Sequence, residues 1–287
     1  MAHEVERVPA STFLRIGPIP AILVPVKVLF IGDVVGEPGR RAVRHLLPRL
    51  RARFDFECVI ANGENSAHGA GITSSTAQEL LNAGADVITS GDHVWDQKES
   101  SSLLEQEPRC LRPANYPAGV PGQGSFLVQR PGRRPLAVLN LQGRTFIAAH
   151  ENPFTVARRE VERLRQTTPL IFIDFHAEAT SEKVAMGWML DGQVSAVIGT
   201  HTHIQTADER ILPKGTACLT DAGCTGGQGG VLGRDWAPVV HRYLTGLPQR
   251  FGICDVDIQL QGCIIEIDDD TGRSTSILRV IERLTPE

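Results

Sequence analysis

Two rhythms of apolar and polar positions alternate along the chain from Val26 onward. Val26-Lys27-Val28-Leu29-Phe30-Ile31-Gly32 is a nearly continuous apolar run of the length of a buried strand. After it, Pro38 sits near a helix start, and Ala42, Val43, Leu46, Leu47 and Leu50 recur at helical spacing with arginines covering the opposite side. Further alternation predicts a strand over 57–61, a helix over 73–83 with Thr or Ser as its cap, a strand over 86–89 and a helix over 95–104. Such β-α-β-α spacing argues for parallel strands joined by crossover helices. Ser125 to Gln129 and Leu136 to Leu141 instead flank Arg-Pro-Gly-Arg-Arg-Pro and predict a hairpin, hence a second sheet. A strand over 170–175, a helix over 181–190 and a strand over 195–198 follow, and the tail is β-rich over 253–267 and 274–282. The pattern describes two packed mixed sheets flanked by helices, with no internal repeat and no dividing linker.

The first 25 residues break this order. They are aperiodic, carry Pro18, Pro20 and Pro25, and are expected to be a non-core extension preceding a single domain over 26–287, with Val26 read as a candidate alternative initiation codon. No working signal peptide and no apolar run near the ~18 residues of a membrane span are visible. Cytoplasm is the expected compartment. Six cysteines with no C-x-x-C exclude a zinc ribbon or thioredoxin motif and read as reduced, mostly buried thiols.

Composition narrows the picture further. Aromatics make up only 5% of the 287 residues, so the core must be built from Val, Ile, Leu and Ala, as in layered α/β proteins. A net charge of −4 provides no overall positive field for non-specific phosphate-backbone binding.

The chemistry lies at the strand ends, where an open α/β sheet exposes functional groups. Five ends carry metal-type ligands: Gly32-Asp33, Asn62-Gly63-Glu64-Asn65, Gly91-Asp92-His93, Asp174-Phe175-His176, and Gly199-Thr200-His201-Thr202-His203. Each stands beside a polar turn, usually with a glycine to let the backbone bend. In an extended chain His201 and His203 point to one face and can reach one site. Any one end could be a turn or a helix cap, but five together define a site. Oxygen and imidazole ligands without thiolate suit iron, manganese or zinc. Seven or eight ligands exceed the needs of one ion, so a dinuclear centre is expected, its ions roughly 3.5–4 Å apart and sharing a carboxylate. Gly32-x-x-x-Gly36-x-x-Gly39 lacks both the dinucleotide spacing and the Lys-Ser/Thr ending of a phosphate loop. Gly223 to Gly233, between Asp221 and Arg234, reads either as a mobile loop near substrate or as a plain surface loop.

These motifs resemble those of the calcineurin-like metallophosphoesterases. More closely, Ile31 to Gly36, Ala61 to Asn65, Phe175 to Lys183 and Gly199 to Gln205 resemble the YmdB-like bacterial phosphodiesterases, over about Val26 to the C-terminus. The resemblance implies a four-layer α/β/β/α sandwich, a dinuclear centre of two transition ions (iron as Fe2+/Fe3+, alternatively Mn2+ or Zn2+) and a cyclic nucleotide as the small-molecule substrate, 2′,3′- or 3′,5′-cyclic AMP in type. It makes Asp33, Glu64, Asn65 and His203 ligands of one ion, Glu64 the bridge, Asp92, His176 and His201 ligands of the other, and His93 the proton donor. The family has Asn where this chain has Asp92; the added negative charge should strengthen metal binding and weaken electrophilic activation. The expected reaction is attack of a metal-activated hydroxide on phosphorus, with His93 protonating the departing ribose oxygen. The competing readings are a metal-dependent amide or ester hydrolase, whose barrels carry His-x-His after the first strand, and a nucleotide- or RNA-linked regulatory protein that keeps its metals without turnover. No membrane partner is expected, and self-association into a homo-oligomer stays open.

Overall fold

The computed structural model describes residues 25–148 and 150–285. Chain order is β1 (Val26–Ile31), β2 (Asp33–Val34), α1 (Gly36–Arg53), β3 (Cys58–Asn62), α2 (Ser74–Ala83), β4 (Val87–Thr89), α3 (Ser100–Gln106), β5 (Ser125–Val128) and β6 (Leu136–Gln142). Then come α4 (Pro153–Arg165), β7 (Ile171–His176), α5 (Thr180–Leu190), β8 (Ala196–Thr200), β9 (Arg210–Ile211), β10 (Ala217–Leu219), β11 (Cys224–Gly227), α6 (Trp236–Thr245), β12 (Ile258–Ile267) and β13 (Ser274–Arg283). One sheet runs β2-β11-β12-β1-β3-β4, with β13 also paired to β12; the other runs β5-β6-β7-β8-β10-β9. Both are mixed. In the first, β1, β3 and β4 are mutually parallel; in the second, β6, β7, β8 and β10 are.

Four layers follow from strand alternation. Successive β1 side chains point to opposite faces, and both faces are buried. Leu29 and Ile31 join Val43, Leu47 and Leu80 of α1 and α2. Val26, Val28 and Phe30 face the other way, into a core shared with Val138, Phe172 and Ile198 of the second sheet. Ile171, Ile173 and Phe175 of β7 then turn outward onto Val161 of α4 and Met186 of α5. The order is helices, sheet, sheet, helices. Phe30 and Phe172 meet across the middle, ring centroids 5.1 Å apart, and each fully buried side chain of this kind contributes about 1.5–3 kcal/mol.

Several expectations need revision. The helix expected over 95–104 begins only at Ser100, because 94–99 form turns tied by Asp96 N–H to the carbonyl of His93 and Ser100 N–H to that of Gln97. Helices α4 and α6 were not read from the sequence. Part of the glycine-rich stretch is not a loop: Cys224–Gly227 is a buried strand between β2 and β12, and a Cβ at Gly227 would lie 2.1 Å from the carbonyl oxygen of Cys254. The expected N-terminal extension lies outside the described residues, apart from Pro25. Among the described residues no helix is long and apolar enough to cross a membrane.

All six cysteines are free. Burial pushes the thiols of Cys110 and Cys218 up to about 12 and those of Cys58 and Cys263 upward as well, so thiolate is scarce at neutral pH. The native protein at pH 8 should therefore label slowly with a thiol-specific disulfide reagent, and six equivalents should react once it is unfolded. A rapid native burst of two or more would show that this core is not closed.

Candidate metal centre

Every ligand-bearing segment leaves the carboxyl end of a parallel strand, and the two sheets bring these ends to one edge. Asp33 follows β1, Glu64 and Asn65 follow β3, Asp92 and His93 follow β4, His176 ends β7, and His201 and His203 follow β8. Donor atoms of Glu64, Asp92, His176 and His201 lie within 4.8 Å of one another. At their centre is His176 Nε2, 3.1 Å from Glu64 Oε1, 2.9 Å from Asp92 Oδ1 and 3.0 Å from His201 Nδ1. Beside this group is a looser one: His203 Nε2 is 3.7 Å from Asp33 Oδ1, and the Asn65 amide nitrogen is 3.3 Å from both His203 Nε2 and Glu64 Oε1. Glu64 touches both groups. All eight residues singled out from the sequence converge here, His93 included, whose N–H donates to Glu64 Oε2 at 3.1 Å.

The glycines of the motifs act by absence of a side chain more than by flexibility. Gly32, Gly63, Gly91 and Gly199 do not adopt positive φ. A Cβ at Gly91 would lie 2.1 Å from the His176 ring, one at Gly32 2.1 Å from the carbonyl oxygen of Gly223, and one at Gly199 1.8 Å from that of Thr220. The expected sharp bends are in fact close approaches.

The histidine pair differs from expectation in a similar way. Strand β8 stops at Thr200, and His201 and His203 take φ of +99° and +63°, in the left-handed region that side chains avoid. Such backbone costs of order 1–3 kcal/mol per residue and persists only where the surroundings fix it. Here Asp221 fixes it: its Oδ2 accepts from Thr202 N at 3.1 Å, from the Thr202 hydroxyl at 2.8 Å and from buried Lys183 Nζ at 2.8 Å. The turned backbone sends His201 toward Asp92 and His203 toward Asp33.

The charge balance of the donor set suits a cation site. Asp33 and Glu64 are fully buried and Asp92 largely so, and burying carboxylates without counter-charge is costly. Burial lowers the affinity of His176 for a proton, yet Glu64 and Asp92 outweigh it and hold the imidazolium well above its ordinary range. Burial likewise opposes His203, but Asp33 pushes it up to about 9. Burial raises Asp33 itself. Protons on imidazoles thus take the role that metal ions fill in such a donor set. The residues fit divalent transition ions: borderline imidazole nitrogen and hard carboxylate oxygen, with no thiolate.

Residues that sequence reasoning passed over complete the site. Glu178 Oε2 lies 3.2 Å from His201 Nε2, leaving Nδ1 to face the cluster; it stood in a quoted motif without a role. Asp96 Oδ2 holds His93 Nδ1 at 2.8 Å, and its i+3 spacing was the available signal. Leu232 offers its carbonyl to His203 Nδ1 at 3.2 Å. The cleft above, about 380 Å³, is lined by Glu64, His93, Glu178, His201, His203 and Arg234 among others.

A four-layer sandwich with carboxylates and imidazoles gathered where the parallel strands end is a phosphoesterase-type fold with a candidate metal centre. The family model described as YmdB-like protein matches residues 29–280, and the chain belongs to that family. A 2′,3′-cyclic-nucleotide 2′-phosphodiesterase of Bacillus subtilis is 49% identical over 89% of this chain and 97% of the relative. Among solved structures, a hypothetical protein from Thermus thermophilus matches at TM-score 0.84 and 40% identity over 90% of this chain and 99% of its own. A novel phosphatase from Mycoplasma pneumoniae matches at TM-score 0.85 and 32% identity over 91% and 95%.

Gly91→Ala tests the close approach. The added methyl must displace the His176 ring, and forced overpacking typically costs about 1–3 kcal/mol. Metal retained after gel filtration should fall by half or more while the chain still melts cooperatively. Undiminished metal content would show that His176 is not held against Gly91.

Proposed function

We propose that this chain is a phosphodiesterase with two transition ions, iron or alternatively manganese or zinc, that opens a 2′,3′- or 3′,5′-cyclic nucleotide of the AMP type to a monoester. The observation that carries the proposal is the convergence of Glu64, Asp92, His176 and His201 donors within 4.8 Å beside Asp33, Asn65 and His203. The activity named for the Bacillus subtilis relative supports it. In this reading Asp33, Glu64, Asn65 and His203 hold one ion, Asp92, His176, His201 and the shared Glu64 the other. Bound there, the ions supply an acidified water and neutralise charge on the phosphoryl oxygens. Asn65 joins by presenting its amide oxygen, a half-turn from the orientation seen.

His93 stands at the rim, with Nδ1 anchored on Asp96 and Nε2 without a hydrogen-bond partner among the described residues. A ribose alkoxide is a poor leaving group, and an imidazole in hydrogen-bond reach is suited to protonate it. Arg234 lies across the cleft with two of its N–H groups on the carbonyls of His68 and Gly69 and no carboxylate partner among the described residues. Its remaining donors suit a non-bridging phosphoryl oxygen. In this reading the domain spans 26–287 and works in the cytoplasm.

The deciding experiment is elemental analysis together with an assay panel. Gently purified protein should carry close to two transition ions per chain and hydrolyse bis-p-nitrophenyl phosphate and 2′,3′-cyclic AMP, both lost on chelation. Metal without turnover on any diester would favour the non-catalytic regulatory reading. His93→Gln should keep its metal, lose roughly 10²–10⁴-fold on 2′,3′-cyclic AMP, and lose far less on the nitrophenyl ester, whose leaving group needs no proton. Equal losses would make His93 a phosphate-binding residue instead.

Asp92→Asn keeps an oxygen ligand and removes one negative charge. The metal concentration for half-occupancy should rise by about tenfold, in line with changes to ligand environment. Unchanged affinity would remove Asp92 from the ligand set.

A further inference from the structure

Beneath the donor cluster, out of reach of the cleft, lies a fully buried carboxyl group that the proposed chemistry does not use. Asp174 is on β7, two residues before His176. Its Oδ1 accepts from the Thr200 hydroxyl at 2.7 Å; its Oδ2 accepts from the Thr89 hydroxyl at 2.5 Å and from Asn62 Nδ2 at 3.1 Å. Asn62 and Thr89 belong to the first sheet, Asp174 and Thr200 to the second. One carboxyl group therefore ties the two sheets together directly under the ligands.

The bonds also carry a direction. Thr200 Oγ1 is 3.0 Å from His176 Nδ1, and a hydroxyl has a single proton to give. With that proton spent on Asp174, Thr200 can only accept from His176, so Nδ1 keeps its hydrogen and Nε2 is the nitrogen that gives up its proton and offers a lone pair when a cation binds. Nε2 is the atom that faces Glu64, Asp92 and His201. Asn62 works similarly: with its NH2 on Asp174, its carbonyl oxygen is turned to accept Glu64 N–H at 3.2 Å. Both arms end on a residue that faces the centre.

We propose that Asp174 is a positioning residue that acts through Thr200 to hold His176 in the tautomer able to bind metal, and through Asn62 to orient the backbone of Glu64. This rests on the reading of His176 and Glu64 as ligands. A purely structural tie between sheets would account for the bonds of Asp174 but would predict no selective effect on metal binding when Thr200 alone loses its hydroxyl.

The test compares Thr200→Val, which removes the hydroxyl at nearly constant shape, with Thr200→Ser, which restores it, and with His176→Ala. Mn2+ dissociation constants and the melting temperatures of metal-free protein are measured for all. Thr200→Val should weaken Mn2+ binding by roughly tenfold or more, within the usual range for groups that orient metal ligands. Thr200→Ser should stay within about threefold of the unaltered protein, and the metal-free melting temperatures of the two should agree closely. If Thr200→Val binds Mn2+ as tightly as the unaltered chain while His176→Ala does not, the positioning role is wrong and the metal site stands. If His176→Ala also binds normally, the reading of the site itself has failed. Should Thr200→Val not fold, the unaltered protein loaded with Zn2+ still decides, through the ring 15N spectrum of His176 assigned by its loss in His176→Gln. A slowly exchanging proton on Nδ1 supports the relay, and a proton on Nε2 overturns it.

Discussion

Three carboxylates crowded into one largely buried site are the constraint around which this molecule is arranged. Asp33, Glu64 and Asp92 come from three separate strand ends, and their repulsion rises as water is excluded. Positive charge must accompany them. Without ions it comes from protons on His176 and His203, which is why both imidazoles hold protons more tightly than usual. Their ready exchange for cations follows from the same geometry, since metal binding to an imidazole displaces its proton.

Holding like charges together requires a rigid frame, and the sandwich provides it in the backbone. Strands β1, β3 and β4 of one sheet and β7 and β8 of the other end along a common edge, with the Val/Ile/Phe core between them fixing their spacing. At that edge the chain segments approach so closely that four motif positions have no room for a Cβ of their own. The Asp174 carboxyl and the Lys183–Asp221 ion pair then lock what packing alone leaves free, namely ring orientation and the left-handed backbone of the His-Thr-His turn. Buried polar groups are costly unless fully bonded, and these are bonded.

What the sequence revealed and what it hid divide along the same physical line. Strands buried on both faces, such as Val26 to Ile31, are continuous apolar runs with few competing interpretations, and the ligand types following them were visible as well. The four-layer order came from resemblance, because a single chain does not state which face of a strand meets which neighbour. Helix α4 carries apolar positions at Val156, Val161 and Leu164, a helical period diluted by four arginines. Helix α6 buries only Val239, leaving little inward periodicity to read. The eight site residues were legible because each is a strong ligand type at a strand end. Glu178, Asp96, Asp174 and Asp221 were not legible as partners, since their roles depend on neighbours 3 to 112 positions away whose side chains only the fold brings together.

Asp92 shows how one residue redistributes this balance. In the proposed centre, two divalent ions against three carboxylates leave a single positive charge, which a bound phosphodiester anion neutralises. An uncharged amide at that position would leave a second positive charge to draw on the phosphoryl oxygens. On the proposed reading this chain would therefore gain hold on its ions while having less charge to place on the substrate. In that reading groups outside the ligand set must supply the remainder, and two are in place on the same cleft: His93, braced by Asp96, and Arg234, held on main-chain carbonyls with no carboxylate partner among the described residues. A guanidinium donates hydrogen bonds without competing for metal, so it can restore phosphoryl binding without loosening the ions. In the proposed reading, affinity for metal and activation of substrate are thus carried by different residues, Asp92 serving the first and the rim of the cleft the second.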